Sequence, residues 1–408
     1  MDTKRLRERA QKALAKKATY GPDVDLGSFE LEEPRIAGEV EEVEAGVAKK
    51  LSGYLGFDVS ERLSYIQVGE RAYYSAMNAL FRKYGVVVKP LALALKEDPQ
   101  VSKLAWKLVP VDADKYTAAA YLFGGELGYY VYVPPGVKFP FPIYTCLGIF
   151  TNRRAQFSHN VVFIDEGAEA YVTTGCMIPH GVQGGLHIGV SEFYVARGAK
   201  LVFTMLHSWA RGTHVRPRTV VRVEEGGEYV SYYAIYSPVG SLQAYPKAYL
   251  AANASAQMVT VVAGRGGGIY DVGSKAVLEG GGASAEIVSR VMAGEGARVI
   301  ARSEIASKSP GAKGHIECLG LLLDDESYVS SVPEISSVRR EVELTHEAAI
   351  GMISGDKIEY LMAKGFGEEE ARSFLLRGFL SVETPRLPEH AKKEINRILE
   401  VIIRNAVG

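Results

Sequence analysis

Between about Pro135 and Val338 the chain alternates apolar and polar positions, and short acidic, glycine-rich breaks interrupt the alternation at near-constant intervals. Segments such as VVFIDEGAEAYVTTG, SEFYVARGAKLVFTML, VVRVEEGGEYVSYYAI and KAVLEGGGASAEIVSRV each read as strand, tight turn, strand. The turn centres fall at Gly167, Gly198, Gly226, Asn253, Gly282 and Gly311, at successive spacings of 31, 28, 27, 29 and 29 residues. Gly and Asn accept the positive φ that tight turns use. Within one strand, Val202, Thr204 and Leu206 face one way, and Phe203, Met205 and His207 the other. A unit this short buries an apolar face only against its neighbours. The regular period therefore predicts a β-helix in preference to an antiparallel sandwich.

The flanks follow other patterns. Residues 1–134 read as an α/β region. Asp98-Pro99 separates two helix-like runs, Pro90–Glu97 and Val101–Leu108, and Tyr129–Val133 reads as a strand closed by Pro134-Pro135-Gly136. The basic N-terminus reads as a solvated helix and not as a secretory signal, because no apolar run follows it. Residues 339–408 read as a small helical domain. Asp356 and Glu359 have capping-box spacing before Ile358, Leu361 and Met362, and Gly365 ends that helix. Glu368–Leu376 forms a second helix closed by Gly378. Pro388 opens a third, with Ile395, Ile398, Leu399 and Ile402 on one face.

Composition narrows the function. Hydrophobic residues make up 47% of the 408, enough for a large core, and the net charge of −1 points to no nucleic-acid partner. No run approaches the roughly 18 to 20 apolar residues needed to span a membrane. The three cysteines, Cys146, Cys176 and Cys318, are far apart, which argues against disulfides or a zinc ribbon and fits a reducing cytoplasm. GRGGGIYDVGSK (Gly264–Lys275) lacks Walker spacing and reads as a turn between strands, so no nucleotide is expected on this chain. Cys146 reads as core, and His207 with Trp209 as interior packing. Cys176 with His180 and His187 is explained by packing as well as by a metal.

The informative cluster lies around His315–Cys318 and His346-Glu347, because thiolate, imidazole and carboxylate all ligate iron. On a strand, His315 and Glu317 share one face, and Ile316, Cys318 and Gly320 the other. Cys318 would then need partners from another segment or another chain. A packing role for a lone Cys in ECLGLLL is the competing reading.

Several stretches resemble the SufB/SufD family. HEAAIGMISGDKIEYLMAKGFGEEEARSFLLRGF (His346–Phe379) resembles its C-terminal signature, and SPGAKGHIECLGLLLDDESYVSSVPEI (Ser309–Ile335) its last β-helix strands. YVTTGCMIPHGVQGGLHIGVSEFYVARGAKLVFTMLHSW (Tyr171–Trp209) and Lys107–Pro142 resemble earlier parts. The matches run in order over about 70% of the chain. The resemblance implies a mainly β protein: a right-handed parallel β-helix core (135–338), an α/β N-terminal region and a C-terminal helical domain that docks SufC, an ABC-type ATPase. It also implies pairing with a second SufB/SufD-type subunit, as homodimer or heterodimer, and a sulfur donor such as a cysteine desulfurase.

Carried over by motif, the resemblance places a transient iron–sulfur cluster at Cys318 and Glu347, with His346 beside them. It places ATPase docking on the helical domain, where Ile358, Tyr360, Leu361, Phe374, Leu375 and Phe379 are the candidates. The chain would act as a scaffold and not as an enzyme. Three features depart from the SufB pattern: RPRTVVRVEEGG lacks the cysteine that some SufB proteins carry there, GRGGGIYD stands where many have His and Gln between their glycines, and an N-terminal CxxC is absent. A SufD-like partner holding no cluster, or a β-helix enzyme acting on polysaccharide or acyl groups, are the alternatives. Cys318 and the intact HEA motif favour the SufB-like reading.

Overall fold

The computed structural model describes residues 3–39, 42–55, 63–74, 79–179, 181–382 and 386–407. Its centre is a parallel β-solenoid of about eight coils. Each coil carries one strand in each of two facing sheets. One sheet runs, coil by coil, through Lys138–Gly148, Glu169–Met177, Lys200–Ser208, Glu228–Ile235, Ser255–Gly264, Ser284–Ala293, Ala312–Leu322 and Val342–Met352. The other runs through Tyr129–Val133, Arg154–Ile164, Gly185–Val195, Arg218–Val223, Lys247–Leu250, Ile269–Leu278, Arg298–Ser307 and Tyr328–Ser337. Neighbouring coils pair in parallel and in register, as Lys200–Ser208 does with Glu169–Met177.

All six expected turn centres adopt positive φ, from +55° at Asn253 to +71° at Gly282. Inward side chains fill the lumen with one continuous apolar core that runs from Tyr65 and Ile143 to Ile316 and Val329. Gly264 ends one strand and Ile269 begins the next, so the glycine-rich segment is a turn.

Each sheet has its outer face covered along part of its length. N-terminal helices Thr3–Ala13, Leu91–Glu97 and Lys115–Phe123 pack against Leu186, Ile188 and Val190. The C-terminal helices pack Leu376, Leu380, Ile395, Leu399 and Ile403 against Val230, Tyr232, Val259 and Val261. This is why these strands read apolar on both faces.

Several boundaries differ from expectation. The region expected to be helical from 339 opens with a strand, Val342–Met352, and helix begins only at Gly355. VELTHEAAIGM alternates, and Val342 and Leu344 pack back onto the core. The Val101–Leu108 run holds only a short 3-10 turn, Val101–Lys103, because Trp106 takes φ +58° and the following amides turn toward Glu192. The N-terminal helix is not merely solvated: Ala10 and Ala13 are buried in the second core.

In the C-terminal helices, Ser354, not Asp356, occupies the N-cap of Gly355–Ala363. That helix ends as expected at Gly365 (φ +99°). The Phe366 and Gly365 N–H groups donate to Leu361 and Met362 carbonyls. The second helix runs through Gly378 to Leu380, since burial of Leu380 outweighs the roughly 1 kcal/mol helix cost of Gly. The third spans Glu389–Val407 and buries Ile395 and Leu399; the side chains of Ile398 and Ile402 lie outside the described residues. No helix among the described residues is long and apolar enough to cross a membrane.

Candidate functional site

Cys318 sits mid-strand in Ala312–Leu322, where burial alternates residue by residue. Ile316, Cys318 and Gly320 face the lumen, and His315, Glu317 and Leu319 face outward, as the sequence pattern requires. Cys318 is 1% exposed, and its sulfur lies 3.4 Å from the Ser303 hydroxyl of the facing sheet. Its register partner on one side is Ser289, also buried and facing the lumen. The hydroxyls of Ser289 and of Ser331 have no hydrogen-bond partner among the described residues. The sulfur is therefore part of the buried lumen core, in a stretch that also carries hydroxyls.

On its other side Cys318 is covered by a single strand. Ala312–Leu322 pairs with Val342–Met352, setting Ile316 opposite His346, Glu317 opposite Glu347 and Cys318 opposite Ala348. The alternation thus puts His346 on the lumen face with Cys318, one register step away. It puts Glu347 on the outer face with Glu317, which Arg290 binds at 2.6 Å. The three expected cluster residues occupy adjacent strands, but Cys318 and Glu347 do not share a face. Among the described residues no group of three His, Cys, Asp or Glu side chains is placed to hold a metal ion.

Val342–Met352 is the last strand of its sheet and pairs only with Ala312–Leu322 among the described residues. No further coil covers it, so His346 and Glu347 are exposed. The last coil also exposes Tyr328, Val332, Ile335, Val338, Ile350 and Met352, with Val338 at 76%. An open solenoid end carrying this much apolar surface marks an interaction site.

The six expected docking residues divide. Tyr360 and Phe374 are exposed, at 63% and 56%. Leu361 and Leu375 are half-buried. Ile358 is buried, and Phe379 packs against the core beneath the helices. Phe374 lies 5.8 Å from Phe366, ring centre to ring centre.

The remaining candidates are interior. Cys146 and Cys176 are buried, and burial pushes both thiols up, Cys146 to about 12. His187 Nδ1 meets the Gln156 side-chain oxygen at 2.9 Å, and burial lowers its imidazole to about 3, so it stays neutral. The Trp209 indole donates to His207 Nδ1 at 2.7 Å. His180 lies outside the described residues.

Glu192 is a structural residue that the motif reading passed over. Fully buried on the outer face of Gly185–Val195, its carboxylate accepts the N–H groups of Trp106, Lys107, Leu108 and Val109 at 2.5–3.0 Å. It also meets His159 Nε2 at 2.7 Å. This clamp fastens the N-terminal region to the solenoid. A charged residue inside the apolar run HIGVSEFYV was the available signal.

Comparison with known proteins agrees with this architecture. Residues 149–379 match the family model described as SUF system FeS cluster assembly, SufBD core domain. The chain is 38% identical over 409 aligned residues to a protein of Methanothermobacter thermautotrophicus described as an iron-sulfur cluster assembly SufBD family protein, covering 97% of this chain and 98% of that one. It is 40% identical over 321 residues to an Archaeoglobus fulgidus protein of the same description, covering 79% and 86%. It is 28% identical over 345 residues to the Bacillus subtilis iron-sulfur cluster assembly protein SufB, covering 82% and 72%.

Proposed function

Since the chain belongs to the SufBD family of iron–sulfur cluster assembly proteins, we propose that it is the scaffold subunit on which a nascent cluster is built, working with a SufC-type ATPase. The observation that carries this reading is the position of Cys318. It is a lumen-facing thiol near hydroxyls, one strand from an open solenoid end that bears His346 and Glu347.

A thiol held at 1% exposure cannot take up iron or sulfide while the last coil is in place. Displacing Val342–Met352 would uncover Cys318, and His346 would move with the strand that carries it. Glu347, outward on the terminal strand, would reach toward a second subunit docked on that end. A cluster held by one thiolate with imidazole and carboxylate completion is bound less firmly than by four thiolates, which suits a site that must release its cargo. The incomplete ligand set of the resting chain fits completion by a partner.

The exposed Tyr360 and Phe374 offer the aromatic surface on which the ATPase would dock. ATP-driven closure of two ATPase subunits would then pull the helical domains and, through the segment 353–354, the strand Val342–Met352 that leads into them. Pairing would use the apolar end coil, with an identical or a SufD-type partner. The sulfur donor would be a cysteine desulfurase or an equivalent. The working compartment would be the cytoplasm, and the chain itself would catalyse no reaction and bind no nucleotide.

Anaerobic reconstitution with iron and sulfide in the presence of the ATPase and ATP tests the reading. Wild-type chain should develop the visible absorption of a cluster and pass it to an apo-ferredoxin, and Cys318→Ala should lose at least tenfold in yield. A Cys318→Ala protein that assembles and transfers at the wild-type rate would remove Cys318 from the site, and a wild-type chain that builds no cluster would leave it as a SufD-like structural partner.

A further inference from the structure

At the opposite end of the solenoid from Cys318, a cavity of about 270 Å³ lies between the helix Ala45–Leu55, the hairpin of Leu63–Val68 and Arg71–Tyr74, and the first coil. The tip of that hairpin is pinned. The Gly69 N–H donates to the Gly148 carbonyl at 2.8 Å, and the side-chain amides of Gln67 and Gln156 donate to the Gly69 carbonyl at 2.9 and 3.2 Å. This fixes the next residue, Glu70, in the cavity wall at 3% exposure.

Neither carboxylate oxygen of Glu70 has a hydrogen-bond partner among the described residues. An unpartnered buried carboxylate is strongly unfavourable, and glutamine or leucine would serve packing better. The cation of the wall that acts on Glu70 is already engaged: Arg154 pairs with Glu32 at 2.8 Å and Glu30 at 3.9 Å. Glu44 adds a further carboxylate, and Val47, Val68 and Phe150 supply an apolar side.

We propose that this cavity binds a small organic cation: the Glu70 side chain, its carboxylate closed off from the cavity in the resting chain, rotates to pair with the ammonium or amidinium group, and the apolar part lies against Val47, Val68 and Phe150. A bare metal ion fits less well, because no three His, Cys, Asp or Glu side chains converge among the described residues. The apolar side of the cavity would also stand idle. Burial dominates the response to pH and opposes ionisation of Glu70; Arg154 favours the ionised form and Glu32 opposes it, and Glu44, Arg71 and Tyr73 are the other titratable groups of the lining. Burial pushes the empty-site carboxyl up to about 8. At pH 7 a bound cation therefore displaces a proton, and affinity rises about tenfold per pH unit below 8.

Titration calorimetry on the full chain tests this. The probes are 2-phenylethylammonium and 1,4-butanediammonium, with 2-phenylethanol as the uncharged control, in buffers of different ionisation heat. At least one cation should bind with millimolar or tighter affinity and release a proton at pH 7, and the alcohol should not bind. Glu70→Gln should weaken the cation at least tenfold while keeping a cooperative melt. Val47→Phe, which fills the cavity from the helix side, should do the same. Binding of neither cation, equal binding of the alcohol, or wild-type affinity in either variant overturns the proposal.

Discussion

Single side chains decide how the parts of this chain are joined. Glu192, itself fully buried, satisfies four consecutive backbone donors and a histidine. Glu192→Ala leaves those donors buried and unpaired, so it should cost on the order of 3 kcal/mol or more in urea unfolding. A loss under about 1 kcal/mol would mean that water replaces the carboxylate. Glu70 sets a second prediction, with the opposite sign. Its proton is held to about pH 8 in the fold, against roughly 4.3 in an unfolded chain. The folded state binds more protons between those values, so its contribution to stability falls as pH rises through that window. Glu70→Gln should be near neutral at pH 4 and more stable than wild type by roughly 2–4 kcal/mol at pH 8, read from paired denaturation curves. Neither residue was legible in the sequence, because both owe their role to contacts made across long sequence separations. Cys318 was legible as to its face, since alternation fixes direction. Its depth was not, because depth depends on the coil that follows.

Among the elements, the turns were the most legible part of the chain. At Gly226 only the backbone requires glycine: φ is +65°, and an added Cβ would meet nothing within 4 Å. Gly226→Ala should therefore cost only about 1–2 kcal/mol. Gly273 is the contrast. It lies inside Ile269–Leu278, where an added Cβ would fall 1.4 Å from the Arg302 carbonyl oxygen of the neighbouring coil. Gly273→Ala should destabilise by more than about 4 kcal/mol or prevent folding, as a thermal melt of the two variants side by side will show. The period identified Gly226, and nothing in the period marked Gly273. Helix ends were legible where local chemistry decides them, as at Gly365, and not where tertiary packing does, as at Gly378. The strand Val342–Met352 was hidden because HEAA also suits a helix, and only the coil beneath it selects the extended form.

On the scale of the whole molecule, the near-29-residue period specified a solenoid, since each coil buries its apolar face only on the next. The period also implied two ends, each needing a cover. The N-terminal region covers one, through the hairpin tip at Gly69. The other exposes Val338, Ile350 and Met352 and lies one strand from Cys318. The central claim is that the sulfur is shut away in the resting chain and released at this end when the ATPase acts. Phe374→Asp, which charges the exposed docking surface, should abolish co-purification with the ATPase while leaving the thermal melt of the chain within a few degrees of wild type. The most direct test is thiol alkylation read by peptide mass spectrometry, on the chain alone and on its complex with the ATPase and ATP. Cys318 should resist labelling in the free chain and become labelled at least tenfold faster in the ATP-loaded complex, with Cys146 and Cys176 protected in both. Equal protection of Cys318 in both states, or ready labelling in the free chain, would contradict the account.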